Sequence, residues 1–93
     1  MSRDEGEDEA DRVALDSGAV WPADADDVEE AVVANWFVRE GGRVEADAVV
    51  CEIQVEKVSI DVPSPVTGTL AEVLVAENES FARGDPLAYV TPA

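Results

Sequence analysis

Histidine is absent from this 93-residue chain, and cysteine, methionine and lysine occur once each, as Cys51, Met1 and Lys57. Without histidine, catalytic triads built on an imidazole base are excluded. A single cysteine can form no internal disulfide, and with no second Cys or His there is no soft-ligand metal site of the zinc type. Positive charge is also scarce: 6 Lys plus Arg stand against 22 Asp plus Glu, a formal net charge of -16. So few cations cannot offset a nucleic-acid backbone or an anionic membrane leaflet, so neither is an expected partner. No apolar run approaches the roughly 20 residues of a membrane span, and the N-terminus is acidic where a signal peptide is basic. The expected compartment is the cytoplasm, and Met1 followed by an acidic leader favours a complete, free-standing protein. The length suits one small domain.

What is abundant is β-branched. Val and Ile together number 18, Leu and Met together 5, a balance that favours strands. Residues 1 to 12 are read as a disordered acidic tail, because Asp4, Glu5, Glu7, Asp8, Glu9 and Asp11 come with no large apolar side chain after Met1 to repay the entropy of ordering. The domain is expected over 13 to 93. Apolar density rises from Val13 to Trp21, Pro22 interrupts, and Asp24 to Glu30 reads as an acidic loop or a short turn of helix. Ala31 to Val38 is an expected strand closed by Gly41-Gly42. A strand pair is expected from Val49 to Val62, then a Pro63-Ser64-Pro65 corner, a strand from Gly68 to Val75, turns at Asn78 and Gly84-Asp85-Pro86, and a strand from Leu87 to Val90.

The chain repeats itself at an offset of 37. Ala34, Phe37, Val38, Glu40, Val44 and Val50 fall on Ala71, Leu74, Val75, Glu77, Phe81 and Leu87, and Gly41 falls on Asn78, both residue types that tolerate the left-handed conformation. Two such units, each too small to bury its own apolar face, are expected to pack about a pseudo-two-fold axis. The same offset overlays the Lys57 region on Val20, which places the lysine at one end and both termini near the other.

The most informative segment is Val49 to Val62. If Glu56 and Lys57 form a two-residue loop, Val55 faces Val58, Ile53 faces Ile60 and Cys51 faces Val62, with every apolar side chain of the pair, Val49 included, on one face. A slip of one residue would break this matching, so the pattern sets the register and puts Lys57 at the tip. Two-residue turns need positive φ and favour Asn-Gly or Asp-Gly, so Glu-Lys breaks a local rule, and a functional reason is the natural suspicion. A unique primary amine on a projecting tip suits selective acylation. On these residues alone an equal reading is that Lys57 keeps the hairpin soluble or wards off edge pairing.

From about Val13 onward the sequence resembles a lipoyl domain, the carrier module of 2-oxo acid dehydrogenase complexes. The resemblance rests on Trp36-Phe37-Val38-Arg39-Glu40-Gly41-Gly42-Arg43-Val44, on Glu56-Lys57-Val58 followed by Pro63-Ser64-Pro65-Val66-Thr67-Gly68, and on Gly84-Asp85-Pro86-Leu87; Trp21-Pro22 sits where an apolar residue and Pro usually end the first strand. It implies an all-β flattened barrel or sandwich of two four-stranded antiparallel sheets with quasi-two-fold symmetry, lipoate joined by an amide to Lys57, and a hairpin whose Glu56 and Val58 are read by a lipoate-attaching enzyme. It further implies a non-catalytic carrier that moves acyl groups and reducing equivalents in trans between 2-oxo acid dehydrogenase, acyltransferase and dihydrolipoyl dehydrogenase components. Glu56 stands where the family commonly has Asp, and Ala31 and Asp47 where Gly is usual. The alternatives are a biotin carrier, whose lysine usually lies between two methionines that are missing here, and an unmodified lipoyl-like adaptor.

Cys51 falls on the predicted inward face, where a lone Cys behaves as a small hydrophobe. Trp36 and Phe37 are expected to pack, one ring on each face of their strand. Asp24, Asp26, Asp27, Glu29 and Glu30 lack the spacing of a calcium loop and read as a solvated acidic face. Twelve of the 22 acidic residues lie in the first 30 positions and ten are spread over the rest. This coat, with arginine in place of all but one lysine, resembles proteins adapted to a salt-rich cytoplasm, where a screening length of about 3 Å at 1 M salt suppresses self-repulsion.

Overall fold

A computed structural model describes residues 12–93; the expected disordered tail lies outside the described residues except for Arg12, whose guanidinium pairs with Glu72 at 3.1 Å and sits 5.8 Å from the centre of the Tyr89 ring. Among the described residues eight strands run as β1 (Val13–Asp16), β2 (Glu30–Trp36), β3 (Arg43–Val44), β4 (Val49–Val55), β5 (Val58–Pro63), β6 (Gly68–Val73), β7 (Ser80–Ala82) and β8 (Pro86–Pro92). They form two antiparallel four-stranded sheets, ordered β1-β8-β6-β3 and β5-β4-β2-β7. Between the sheets lies one core, with Leu15, Val33, Val50, Ile53, Leu70, Leu87 and Val90 at its centre. The sandwich part of the expected architecture is observed, and the barrel part is corrected: each sheet keeps its own edges. Edge strands β3 and β7 are two and three residues long, too short to carry a ladder from one sheet to the other. Among the described residues no helix is long and apolar enough to cross a membrane.

The pseudo-two-fold axis is written in the hydrogen bonds. The Phe37 N–H donates to Val50 O and the Leu74 N–H to Leu87 O, both at 2.9 Å. Bonds between the halves come in exchanged pairs: Gly41 N–H to Leu70 O with Asn78 N–H to Val33 O, both at 2.7 Å. Bulges fall at Ala34 and Ala71, where the β2–β4 and β6–β8 registers shift. The N–H of Trp36 is taken up by Glu77 Oε2, and that of Val73 by Glu40 Oε2, each at 2.8 Å. Among the described residues, four of the five with positive φ form two repeat pairs, Gly41 (90°) with Asn78 (72°) and Asp47 (70°) with Gly84 (89°).

The offset of 37 does not extend to β1. Asp16 pairs with Pro86 as Pro63 pairs with Val49, so β1 corresponds to β5 at a separation of 47 residues, and the overlay of the Lys57 hairpin on Val20 is corrected. Its counterpart is the end where Val13 pairs with Val90 and Pro92 runs beside Gly68. The two-fold therefore still sets the Lys57 tip opposite Ala93.

Two further expectations change, and a third is met. Strand β1 stops at Asp16, so Trp21-Pro22 does not end it: the Asp16 carboxylate accepts the Gly18 N–H at 2.9 Å and caps a single helical turn, Ser17–Val20. The acidic stretch opens with a short 3-10 turn, Ala23–Ala25, one of the two forms expected of it. Of the two rings expected to pack, Trp36 is half-buried and donates its indole N–H to Val75 O at 2.8 Å, whereas Phe37, one residue beyond the end of β2, is 57% exposed.

Candidate functional site

Strands β4 and β5 pair Cys51 with Val62, Ile53 with Ile60 and Val55 with Val58, the register the alternation demanded. Glu56 and Lys57 form the tip, and Glu56 is left-handed, with φ of 56°. A carboxylate-bearing residue in that region stores backbone strain, and the Gln54 side-chain amide, which donates to Glu56 O at 3.1 Å, helps hold it. Glu56, Lys57 and Val58 are all exposed. None of the ion pairs among the described residues involves Lys57. The expectation of a single apolar face is corrected at one position. A bulge between Val49 and Cys51 turns Val50 into the core and leaves Val49 39% exposed. Val58 remains 46% exposed at the tip end of β5, an edge strand of its sheet.

A second segment comes to the same end. Val32 on β2 pairs with Gln54 on one side and Ser80 on the other, so these side chains line up across the outer face of the sheet. Together with Val28, Glu29, Glu30, Ala31 and Glu56 they line a groove of about 570 Å³ next to the Lys57 tip. Its wall, the loop before β2, is held by two residues whose part in this the sequence did not announce. Trp21 packs edge-on against Phe81 with ring centres 6.3 Å apart and donates its indole N–H to Ala25 O at 3.0 Å. Arg83 donates to the backbone and carboxylate oxygens of Asp26 at 2.6 and 3.2 Å, its own N–H bonds Glu29 O at 2.8 Å, and its guanidinium lies 5.9 Å from the Trp21 ring centre. Asp26 is thus spent on Arg83, and no group of three or more carboxylates, thiols or imidazoles that could hold a metal ion occurs among the described residues.

Cys51 is fully buried, and burial pushes its thiol up to about 12, so it is neither nucleophile nor redox partner at neutral pH. Two buried polar residues escaped the sequence reading. Ser17 Oγ accepts the Gly84 N–H at 2.9 Å, and Ser64 Oγ donates to Val66 O at 2.6 Å. They occupy corresponding places after β1 and β5 and fasten the corners from which the two long strand pairs extend.

Comparison with known proteins agrees with this geometry. The biotin/lipoyl family model, described as "Biotin-requiring enzyme", matches residues 20–90. A dihydrolipoyllysine-residue succinyltransferase component of the 2-oxoglutarate dehydrogenase complex from Rickettsia bellii is 35% identical over 66 residues, covering 71% of this chain and 16% of the relative. A dihydrolipoyllysine-residue acetyltransferase component of the pyruvate dehydrogenase complex from Staphylococcus aureus is 36% identical over 63 residues, covering 68% and 15%. The chain therefore spans about one sixth of the length of these relatives. Among solved structures, the lipoyl domain of the 2-oxoglutarate dehydrogenase complex from Azotobacter vinelandii superposes with a TM-score of 0.63 at 26% identity, covering 69% of this chain and 81% of that domain. A single-chain, multi-domain long-chain acyl-CoA carboxylase shares the fold, with a TM-score of 0.71 at 20% identity over 89% of this chain and 7% of the carboxylase. With its family match over residues 20–90 of the 93 and its paired four-stranded sheets, the chain belongs to the biotin/lipoyl attachment family.

Proposed function

We propose that this protein is a lipoyl carrier: lipoate is joined through an amide to Nζ of Lys57, and the loaded arm moves acyl groups and reducing equivalents between the enzymes of a 2-oxo acid dehydrogenase complex. The observation that carries the reading is the only lysine of the chain, exposed at the tip of a hairpin of defined register. The residues present fit such a group. The tip is solvent-exposed on both sides of Lys57, and the left-handed Glu56 holds the turn in one shape for an attaching enzyme to read together with Val58. When attached, the lipoyl group supplies a disulfide–dithiol couple and a thiol that carries acyl groups as thioesters. The chain itself holds and presents. Hairpin β4–β5 projects the amine outward, the two-sheet core keeps its base rigid, and tethering raises the local concentration of the arm at each partner. Amide formation removes the lysine charge. With no histidine in the sequence and its one thiol buried, the side chains of this chain perform no chemistry of their own, and the decarboxylating dehydrogenase, acyltransferase and dihydrolipoyl dehydrogenase act in trans.

The fold shared with the carboxylase keeps biotin as the second reading. Glu56 and Val58 beside the lysine, with Met1 the sole methionine, favour lipoate. Incubating the purified chain with a lipoate-attaching enzyme, lipoate and ATP tests this: the wild type gains one lipoyl group by intact mass and Lys57→Arg gains none. Labelling of Lys57→Arg, or loading of the wild type by a biotin ligase in preference, would overturn it.

A further inference from the structure

We propose that the groove beside the hairpin tip is the resting site of the neutral arm carried on Lys57. This rests on the carrier reading above. The tether sets the place: Gln54 and Glu56, the latter adjacent to Lys57 in the chain, are themselves lining residues. Chemistry sets the occupant. The apolar lining is Val28 on the wall and Val32 on the floor, Ala31 being turned into the core, and Val32 is 39% exposed on an outer sheet face where its cross-strand partners are Ser80 and Gln54. An apolar residue at the centre of a polar row is left uncovered by the described residues, and a run of methylenes ending in a dithiolane covers it. Glu29, Glu30 and Glu56 surround this floor, and among the described residues no cation lines the groove, so an anionic occupant is repelled and a neutral one is not. At about 570 Å³ the space is within the range of small-molecule sites. The wall is preorganised, since Arg83 and Trp21 fix the loop that carries Val28 and Glu29. Because the arm is attached, its docking is intramolecular, and weak contacts are enough to populate the docked state. The arm then alternates between a docked position that shields the dithiolane and an extended one in which partners engage it.

The test compares the full chain with and without a lipoyl group on Lys57, loading being verified by intact mass, by methyl-resolved NMR. Docking predicts nuclear Overhauser contacts from the arm methylenes to the Val28 and Val32 methyls, and shifts at Val28 and Val32 that are absent at Val49, a valine as exposed as Val32 outside the groove. Val32→Ser abolishes the contacts and sharpens the arm resonances, while Val49→Ser leaves both unchanged. A fully loaded protein with no arm contacts and unshifted Val28 and Val32 methyls overturns the resting site and leaves the carrier reading intact. Failure of Lys57 to accept a lipoyl group overturns the carrier reading, and the resting site with it.

Discussion

Gly68 gives the sharpest test of the packing, because its replacement by alanine has a cost that can be worked out from the sheet. Gly68 opens β6 and pairs with Pro92 on β8, a central strand of its sheet. A Cβ added there lies 2.0 Å from the Thr91 carbonyl oxygen and 2.9 Å from Pro92 Cα, against roughly 3.5 Å for a comfortable non-bonded contact. Both obstacles are backbone, so no rotamer change relieves them, and β8 must separate from β6 at this end. The cost should reach or exceed the upper end of overpacking penalties, about 3 kcal/mol. For a domain of this size, at about 4–8 °C per kcal/mol, the melting temperature should fall by on the order of 15 °C. The packed Trp21 and Trp36 report the transition by fluorescence. Gly41→Ala separates crowding from backbone strain: nothing lies within 4 Å of the added Cβ, but φ is +90°, which predicts about 1–2 kcal/mol. Gly41→Asn should cost less, since its repeat partner Asn78 already sits at φ 72°. A Gly68→Ala protein within 1 kcal/mol of the wild type would refute the close approach of β6 and β8.

Asp47→Gly should stabilise by about 0.5–1 kcal/mol in urea unfolding, because Asp47 has φ 70° where its repeat partner Gly84 has 89°; a loss would show that the side chain has a role the geometry does not reveal. The Cys51 thiol is held protonated up to about 12 in the fold against about 9 when unfolded. Its contribution to stability is thus complete below pH 9 and declines as pH rises from about 9 to about 12, with a slope approaching 1.4 kcal/mol per pH unit. Wild-type stability should fall faster than that of Cys51→Ala across this window, and maleimide should label Cys51 only as fast as the fold opens; rapid labelling of the native protein would contradict its burial. With 22 acidic against 6 basic residues, lowering the salt from molar to millimolar concentration should lower the melting temperature, and a melting temperature indifferent to salt refutes the role assigned to self-repulsion.

The hairpin was legible in the sequence because alternation has a period of two and tolerates no slip: the partners of Cys51, Ile53 and Val55 follow from the valines and isoleucine opposite. The repeat was legible for the same reason at longer range, since bulges, left-handed turns and the Glu40 and Glu77 anchors recur 37 residues apart. Strands β3 and β7 were not, because each buries a single large apolar side chain, Val44 or Phe81, too little for a pattern. The exit from β1 was misread because Trp21 looks like a strand residue, while its real role depends on Phe81 and Arg83, some 60 positions away. The bulge at Val49–Cys51 was hidden too: Val49 and Val50 are both apolar, and only the three-dimensional register tells which one enters the core. At the site, Lys57 stood out by being unique, whereas the groove beside it depends on a loop fixed by Arg83, a contact no local pattern encodes.

The central claim is that Lys57 carries a lipoyl group, and the intact mass of the protein purified from its native host, with the adduct located by peptide mapping, tests it most directly. The account predicts a single lipoyl adduct on Lys57. A biotinyl adduct on that residue, or protein that never carries any adduct, would contradict it.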